Sequence, residues 1–364
     1  MVPTDGHFWN LYWTNSYTKT YMYEGLNEYQ KINHFPYISE LTRKDRLSDN
    51  IENMQIKFSE EEFNFIPETY ILPDDYDDFE QSFERQFLEG SPTQYWIVKP
   101  CALSRGRGIF IIDDISDVPE DENCVISKYI SNPLLVNGLK FDLRIYVLIS
   151  CLEPLRIYIY DEGMARFASE KYRLTDATED IFAHLTNYSI NKKNKKYIQN
   201  KSISEDDYGH KWSLSALFSL LRRIGIDTTL LWSRIYDIII KSILSVYSEL
   251  VKNTKEYVKF RTNCFEYLGY YILVDSELKP WLLEVNLTPS LACESPLDTN
   301  LKSNIMSDMF SLIGIRPFER RKDFFFKNKN KFFPQMNHIK KESIQEFSKE
   351  EIEKMEYYYT MINV

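Results

Sequence analysis

The stretch from Lys140 to Ser150 reads KFDLRIYVLIS, and its part from Asp142 to Ser150 predicts a β-strand inside a sheet. Lys140, Asp142 and Arg144 are two positions apart, so their side chains share one face of that strand. Polar groups on so apolar a strand cost free energy unless they have partners. The pattern therefore indicates an anionic ligand on this face or, alternatively, a ladder of buried ion pairs.

Further strands are predicted on both sides of this segment. Leu155 to Tyr160 and Gly163 to Phe167 follow it as adjacent strands, joined to each other by a tight turn at Asp161-Glu162. Gly269 to Val274 and Pro280 to Asn286 (PWLLEVN) predict a hairpin. These segments together predict one sheet around the central strand.

Three short runs upstream are rich in β-forming residues and separated by turn formers: Tyr95 to Pro100, Ile109 to Ile112 and Cys124 to Ile126. They predict a second, antiparallel sheet with helical cover. A segment containing two prolines, Ile66 to Asp78, marks a boundary before it.

Apolar residues at three- and four-residue spacing predict amphipathic helices from Trp212 to Ile224 and from Thr229 to Val251, and a helix from Leu301 to Ile313 closes the fold. The fold class is α+β. The predicted division is an N-terminal lobe (1–68), a central lobe (69–131), a C-terminal lobe (132–313) and a basic, then acidic tail that is helical or flexible (314–364).

Composition excludes several classes of protein. The chain has 364 residues, 43% of them hydrophobic, and a net charge of -10, which argues against nucleic-acid binding. Its five cysteines show no CxxC spacing, and no run approaches the roughly 18 apolar residues of a membrane span. We expect a soluble intracellular protein with no membrane partner.

One segment is basic, although the chain as a whole is acidic. Residues 316–341 carry nine Lys and Arg against two acidic residues. This segment is either a docking site for an acidic partner or a solvated tail, since charge runs are often just exposed surface.

Lys99 ends a β run and is followed by the loop Ser104 to Gly108 (SRGRG). A lysine on a strand can reach phosphate oxygens, and a loop with two glycines lets backbone N–H groups approach the same phosphates. The alternative is an ordinary hairpin turn. The GxxxxGK[ST] pattern of a P-loop is absent.

Three more residues are candidates for chemistry. Arg166, on a strand next to Arg144, adds a second guanidinium that can grip phosphate or carboxylate. Glu284 and Asn286 share one strand face, and their oxygens can hold Mg²⁺ with nucleotide phosphates or, alternatively, cap the turn that follows. His184 receives no chemical role.

Six motifs occur in an order that resembles the tubulin tyrosine ligase-like family: YWIVKP, SRGRG, KFDLRIYVL, PLRIYIYDEGMARFAS, HLTNYSINKK and LKPWLLEVNLTPS. The upstream segments EYQKINHFP, RKDRL and EFNFIPETYILP further resemble its glutamylase subgroup. The resemblance implies an ATP-grasp fold of three lobes, with the nucleotide between the central and C-terminal sheets. It also implies ATP and Mg²⁺ as cofactors.

The resemblance assigns roles to individual residues. Arg144, Arg166 and Glu284 would be catalytic, Glu284 and Asn286 would bind the metal, and the incoming amino acid would meet Arg166, Tyr188, Ser189 and Lys211. The implied ATP-binding residues are Lys99, Arg105, Gly106, Arg107, Gly108, Lys128, Tyr129, Ile130, Lys140, Asp142, Thr186 and Asn187.

The implied reaction joins glutamate to a side-chain carboxylate of a tubulin tail through an acyl phosphate. Arg105 stands where members that start glutamate branches carry Arg, so the resemblance favours initiation. Tubulin or microtubules would be the partner, with a helper subunit supplying further contacts. The location would be cytoplasmic and associated with the cytoskeleton, such as that of a cilium, flagellum or spindle.

One position departs from the family pattern. Gly269-Tyr270-Tyr271 replaces a Gly-Phe-Asp segment whose carboxylate binds magnesium, so Tyr271 supplies no charge there. An active glutamate ligase, a pseudo-ligase that binds tubulin or nucleotide without turnover, and a ligase for another amino acid or protein are therefore three open hypotheses.

Overall fold

The computed structural model describes residues 9–88, 94–100, 107–119 and 123–315, and these have the mixed helix and sheet content of an α+β protein. The strands are β1 (Leu11–Tyr12), β2 (Lys31–Ile32), β3 (Thr69–Leu72), β4 (Trp96–Pro100), β5 (Phe110–Ile112), β6 (Cys124–Lys128), β7 (Leu135–Val136), β8 (Leu139–Cys151), β9 (Arg156–Ile159), β10 (Met164–Phe167), β11 (Lys211–Ser213), β12 (Glu266–Val274) and β13 (Pro280–Asn286). The α-helices are α1 (Ser39–Thr42), α2 (Lys44–Lys57), α3 (Glu60–Phe63), α4 (Tyr76–Leu88), α5 (Ile181–His184), α6 (Tyr188–Asn191), α7 (Leu214–Arg223), α8 (Thr228–Tyr257) and α9 (Pro296–Ile313).

The larger sheet is built around β8, as the sequence predicts. Its strand order is β11-β10-β8-β12-β13, with β7 and β9 also paired to β8, and every pairing is antiparallel. The predicted hairpin of β12 and β13 is present.

The two faces of β8 have different roles. Leu143, Ile145 and Val147 are buried in the main core, which also contains the apolar sides of α7 and α8. The opposite face carries Lys140, Asp142 and Arg144, and then turns apolar at Tyr146 and Leu148, where α9 packs against it. Because side chains alternate along a strand, one segment serves both the core and a polar surface.

The predicted turn at Asp161-Glu162 does not join a hairpin. β9 pairs with β8 at Val147–Cys151, and β10 pairs with β8 at Phe141–Arg144, so the two strands lie end to end along one edge of β8. The Glu162 carboxylate accepts hydrogen bonds from the first backbone N–H groups of α7, which explains why the chain leaves the sheet here.

The smaller sheet has the order β3-β6-β4-β5, again antiparallel, and contains the three predicted upstream strands. Helix α4 provides the predicted helical cover. Phe79 of α4 meets Trp96 of β4 edge to face, with ring centroids 5.2 Å apart.

All three predicted C-terminal helices are present, but α9 begins five residues earlier than predicted. Ser295 accepts a hydrogen bond from the backbone N–H of Asp298, Pro296 follows it, and Gly314 ends the helix with φ 61°. A capping Ser, a Pro in the first turn and a left-handed Gly are the expected helix boundaries.

The division into lobes at 1–68, 69–131, 132–313 and 314–364 stays a prediction. The basic segment 316–341 lies outside the described residues. Within the described part of the chain, no helix has the length and apolar character needed to cross a bilayer.

Candidate functional site

Strand pairing brings the predicted catalytic residues to one face of the larger sheet. Arg144 on β8 is paired with Tyr271 on β12, which is paired with Glu284 on β13. Arg166 on β10 is paired with Asp142, two residues before Arg144. The side chains of four strands therefore meet on the polar face.

A β-bulge decides the orientation of Glu284. The pairing of β12 with β13 shifts between Tyr271 and Ile272, so that Tyr271 faces Glu284 while Ile272 faces Leu282. The extra residue, Leu283, lets Leu282 lie in the core while Glu284 and Asn286 lie on the polar face. Bulges commonly re-aim side chains in this way.

Asp142 and Arg166 form a buried bidentate ion pair, with Arg166 Nε 2.8 Å from Asp142 Oδ1 and Nη2 bonded to Oδ2. Thr186 donates its hydroxyl hydrogen to Asp142 Oδ2 as well. Burial alone would lower the pKa of Arg166, but the Asp142 carboxylate outweighs it and raises the pKa. Asp142 thus holds Arg166 and Thr186 in place. The ion pair runs across two strands, whereas the predicted ladder lay along a single strand.

The Tyr271 ring contacts both guanidinium groups. Its ring centroid is 4.2 Å from Arg166 Cζ and 4.9 Å from Arg144 Cζ, and its hydroxyl accepts a hydrogen bond from Arg144 Nη1. Arg144 Nε is buried and has no hydrogen-bond partner among the described residues. A buried cationic N–H without an acceptor is costly, so this donor calls for an anionic ligand.

The candidate metal ligands already have protein partners. Glu284 Oε2 is 3.1 Å from Lys44 Nζ of α2, and Glu284 Oε1 accepts a hydrogen bond of 2.9 Å from Asn286 Nδ2. Burial raises the pKa of Glu284, but the charge of Lys44 and the bond from Asn286 outweigh it and lower the pKa to about 2. The carboxylate is therefore ionised at neutral pH.

Two side-chain oxygens suit a hard cation that also takes phosphate oxygens. Among the described residues, no group of three His, Cys, Asp or Glu side chains converges to hold a metal. Glu284 and Asn286 thus fit one ion, and Tyr271 adds no carboxylate to them.

Two lysines from different sheets influence each other at this face. Burial and then Lys44 lower the pKa of Lys99, on β4, to about 8. Burial lowers the pKa of Lys140, on β8, to about 7, and Lys99 adds to the effect while Asp142 opposes it. The charge of Lys99 thus acts on Lys140, and an anion bound near both would favour their charged forms.

The structure describes only part of the predicted phosphate loop. Arg105 and Gly106 lie outside the described residues, whereas Arg107 and Gly108 are included. Gly108 has φ 66°, a conformation that favours glycine.

Three of the implied ATP-binding residues, Lys128, Tyr129 and Ile130, lie at the end of β6 and directly after it. Lys128 Nζ lies 3.5 Å from Glu68, so this side chain is directed to an acidic neighbour. Tyr129 is buried and contacts Lys140, while Ile130 is partly buried.

The residues predicted to bind the incoming amino acid lie close together. Lys211 Nζ lies 4.1 Å from the centroid of the Tyr188 ring, and Ser189 follows on α6. Asn187 is the N-cap residue of α6, without a side-chain capping bond. Burial and a hydrogen bond with Glu294 raise the pKa of Tyr188 to about 12.

Sequence analysis missed two charged residues of this region. Asp298, at the start of α9, accepts a hydrogen bond of 2.9 Å from Lys211 and lies 3.3 Å from Lys302. Its signal in the sequence is Ser295-x-x-Asp298, the spacing of a capping box. Lys44 lies in the RKDRL motif, but no local pattern places it beside Glu284.

Comparison with known proteins places these residues in context. The model of the Tubulin-tyrosine ligase family matches residues 22–323. Tubulin polyglutamylase TTLL5 of Homo sapiens is 46% identical over 307 residues, covering 84% of this chain and 24% of the relative. Tubulin monoglutamylase TTLL4 of Mus musculus is 41% identical over 293 residues (80% and 24%), and the probable beta-tubulin polyglutamylase of Tetrahymena thermophila is 41% identical over 310 residues (84% and 26%). The chain thus spans about a quarter of the length of these relatives.

Proposed function

Because this chain belongs to the tubulin-tyrosine ligase family, we propose that it is an ATP-dependent ligase that attaches glutamate to side-chain carboxylates of tubulin tails. The names of its relatives support glutamate and tubulin as substrates. The observation that carries the proposal is the convergence of Arg144, Arg166, Lys140 and Glu284 on one face, where Arg144 Nε is buried and has no hydrogen-bond partner within the described part of the chain.

The nucleotide binds between the two sheets. In support, Lys99 of the smaller sheet affects the pKa of both Lys140 and Glu284 of the larger sheet. Positive charge from both sides suits a polyphosphate. The loop that contains Arg105 to Gly108 contributes backbone N–H groups.

The reaction has two steps. An oxygen of the acceptor carboxylate bonds to the γ-phosphorus of ATP as the bond from that phosphorus to the bridging oxygen breaks, which gives an acyl phosphate and ADP. The amine of free glutamate then attacks the acyl carbon, loses a proton and displaces inorganic phosphate, which leaves an isopeptide bond. Arg144 and Arg166 stabilise the negative charge of both steps, so catalysis is mostly positioning and electrostatics.

The residues have separate tasks in this scheme. Tyr188, Ser189 and Lys211 hold the incoming glutamate, and Asp298 fixes Lys211. Mg²⁺ would be held by Glu284 and Asn286, and when bound it neutralises phosphate charge.

The test is ATP-dependent incorporation of labelled glutamate into tubulin. We expect wild type to incorporate glutamate and Arg144→Gln to lose about a hundredfold or more in rate, as when one transition-state donor is removed. Arg234→Gln is the matched control, because Arg234 is exposed and donates to the Leu278 carbonyl. Equal rates for both variants would contradict the role of Arg144.

Two observations favour a second function, a pseudo-ligase that binds nucleotide or tubulin without turnover. Tyr271 replaces a carboxylate, and Lys44 neutralises Glu284. No incorporation by wild type together with activity in Tyr271→Asp would establish it.

The same assay identifies the amino acid that the enzyme transfers. Glycine, tyrosine and glutamate are supplied in parallel, and mass spectrometry of the modified peptide identifies the product. Single glutamates on each acceptor would support branch initiation, the role that Arg105 suggests. A helper subunit and a cytoskeletal location, such as a cilium, flagellum or spindle, belong to the same proposal.

A further inference from the structure

Lys140 lies at the end of a chain of hydrogen bonds that begins at a backbone carbonyl. His184 Nε2 is 3.0 Å from the Arg173 carbonyl oxygen, and His184 Nδ1 is 2.7 Å from the Tyr129 hydroxyl oxygen. Lys140 Nζ donates to the same hydroxyl oxygen over 2.8 Å. His184, Tyr129 and Lys140 are each at most 6% exposed, so the chain is shielded from water.

The direction of each hydrogen bond follows from chemistry. Burial and the charge of Lys140 lower the pKa of His184 to about 4, so the imidazole is neutral at pH 7 and has one N–H. The Arg173 carbonyl only accepts, which places that hydrogen on Nε2 and leaves Nδ1 as an acceptor. Tyr129 must then donate to Nδ1, and its oxygen lone pairs are directed to the Lys140 ammonium group.

Other charged and titratable groups also face Lys140. Asp142 of its own strand attracts the ammonium group, and Lys99 of β4 repels it. The ring of Tyr172 lies 6.0 Å away, but its hydroxyl interacts with Tyr129 and donates to the Ser131 carbonyl over 2.7 Å. The carboxylates that act on His184 are Asp180 and Asp176.

We propose that Tyr129 and His184 are positioning residues that hold the Lys140 ammonium group against a nucleotide phosphate. This inference rests on the nucleotide site proposed above. A lysine side chain has four rotatable bonds, and ordering it costs conformational entropy. The Tyr129 hydroxyl donates its hydrogen to His184, so its oxygen stays available as an acceptor for Lys140. The Lys140 side chain is therefore already ordered before the nucleotide binds.

The experiment is a fluorescence titration of the full chain with a fluorescent ATP analogue at pH 6.5, 7.5 and 8.5. We expect Tyr129→Phe to weaken binding about tenfold at pH 7.5, because Lys140 loses one hydrogen-bond acceptor. His184→Leu should also weaken binding, because the Tyr129 hydroxyl loses the acceptor that fixes its orientation. His184→Asn keeps an acceptor near the position of Nδ1 and should bind within about threefold of wild type. Loss of affinity with rising pH should also begin at lower pH in Tyr129→Phe, because the charged form of Lys140 loses an acceptor.

The matched control is Tyr270→Phe. The Tyr270 hydroxyl is likewise fully buried and bonded to a side chain, Ser242 Oγ at 3.0 Å, but it lies on the opposite face of the sheet. This variant should bind like wild type with the same pH midpoint. The melting temperature of every variant is measured alongside.

The outcomes separate the two proposals. If wild type binds and Tyr129→Phe and His184→Leu match it in affinity and pH midpoint, the positioning role is wrong while the nucleotide site stands. Lowered melting temperatures with unchanged affinity would also overturn the positioning role. If wild type binds no nucleotide at any pH, the nucleotide site and the positioning role both fail.

Discussion

Tyr271 is a partly polar aromatic residue on the polar face, and its contacts show how that face accommodates it. The ring contacts two guanidinium groups and the hydroxyl accepts a hydrogen bond from Arg144, so this residue interacts with both cations without carrying a charge. Gly269, two residues earlier, packs tightly against Pro289. A Cβ atom at position 269 would lie only 3.0 Å from Pro289 Cγ. Because a phenol supplies no carboxylate, Glu284 and Asn286 remain the candidate metal ligands on this face among the described residues.

Replacing Tyr271 by Asp is therefore expected to tighten Mn²⁺ binding about tenfold in the presence of ADP, because a second carboxylate joins Glu284. Electron paramagnetic resonance of free Mn²⁺ measures the change. Tyr271→Phe is the control, since it retains the ring and adds no charge. Equal affinities in the two variants would argue against a metal on this side of the sheet.

Among the secondary-structure elements, strand β12 is held at its start by a buried ion pair between His34 and Glu266, away from the polar face. His34 and Glu266, both at most 1% exposed, form a 2.8 Å contact that ties the segment after β2 to the start of β12. The other His34 nitrogen lies 2.9 Å from the Thr14 carbonyl, and Glu266 also accepts from the backbone N–H of Phe35. Both ring nitrogens of His34 therefore face oxygen acceptors, and this arrangement favours the protonated imidazolium form of His34.

This pair predicts a pH-dependent stability. Burial opposes protonation of His34, but Glu266 outweighs it and raises the pKa of His34 above 6.5; burial raises the pKa of Glu266 as well. Because the pKa of His34 is higher in the folded than in the unfolded protein, protonated His34 stabilises the fold fully below pH 6.5. This stabilisation is lost as the pH rises through the pKa of His34 in the folded protein. The free energy of unfolding measured in urea titrations should therefore fall as pH rises above 6.5. His34→Gln should be less stable and lack this step; the same step in that variant would assign it to other groups.

Across the whole molecule the net charge is -10, yet one face of the larger sheet carries several cationic side chains. Lys99, Lys140, Arg144 and Arg166 all act on the polar face. Strong positive potential within an acidic protein attracts anionic peptides locally and keeps nonspecific association low. Residues 316–341 add further positive charge in the sequence.

Binding of an acidic tail peptide should therefore weaken as salt is raised from 50 to 200 mM, because screening shortens the range of charge attraction. Replacing Lys327, Lys329 and Lys331 by Gln should reduce this salt dependence. The control replaces the exposed Lys252, Lys255 and Lys259, which removes the same charge elsewhere. Anisotropy titration measures both, and an equal reduction would assign the effect to net charge alone.

Local pattern predicted much of the fold. Alternation along Lys140 to Ser150 and three- to four-residue spacing in α7 and α8 follow from the geometry of single elements, so both were readable without a partner strand. The start of α9 was misplaced because its capping residues precede its apolar stripe. The arrangement of β9 and β10 was wrong, since a turn sequence does not specify which strand each neighbour pairs with.

By itself, the sequence determined the family, the strands that carry Arg144, Arg166 and Glu284, and the absence of a carboxylate at Tyr271, because these depend on residue identity and local periodicity. The tertiary structure decided the bulge that turns Glu284 to the polar face, the contact of Lys44 with it, and the hydrogen bonds from His184 to Lys140. Pairing register and packing between segments far apart in the chain set these contacts. Such relations have no period within any one segment, so a linear pattern cannot reveal them.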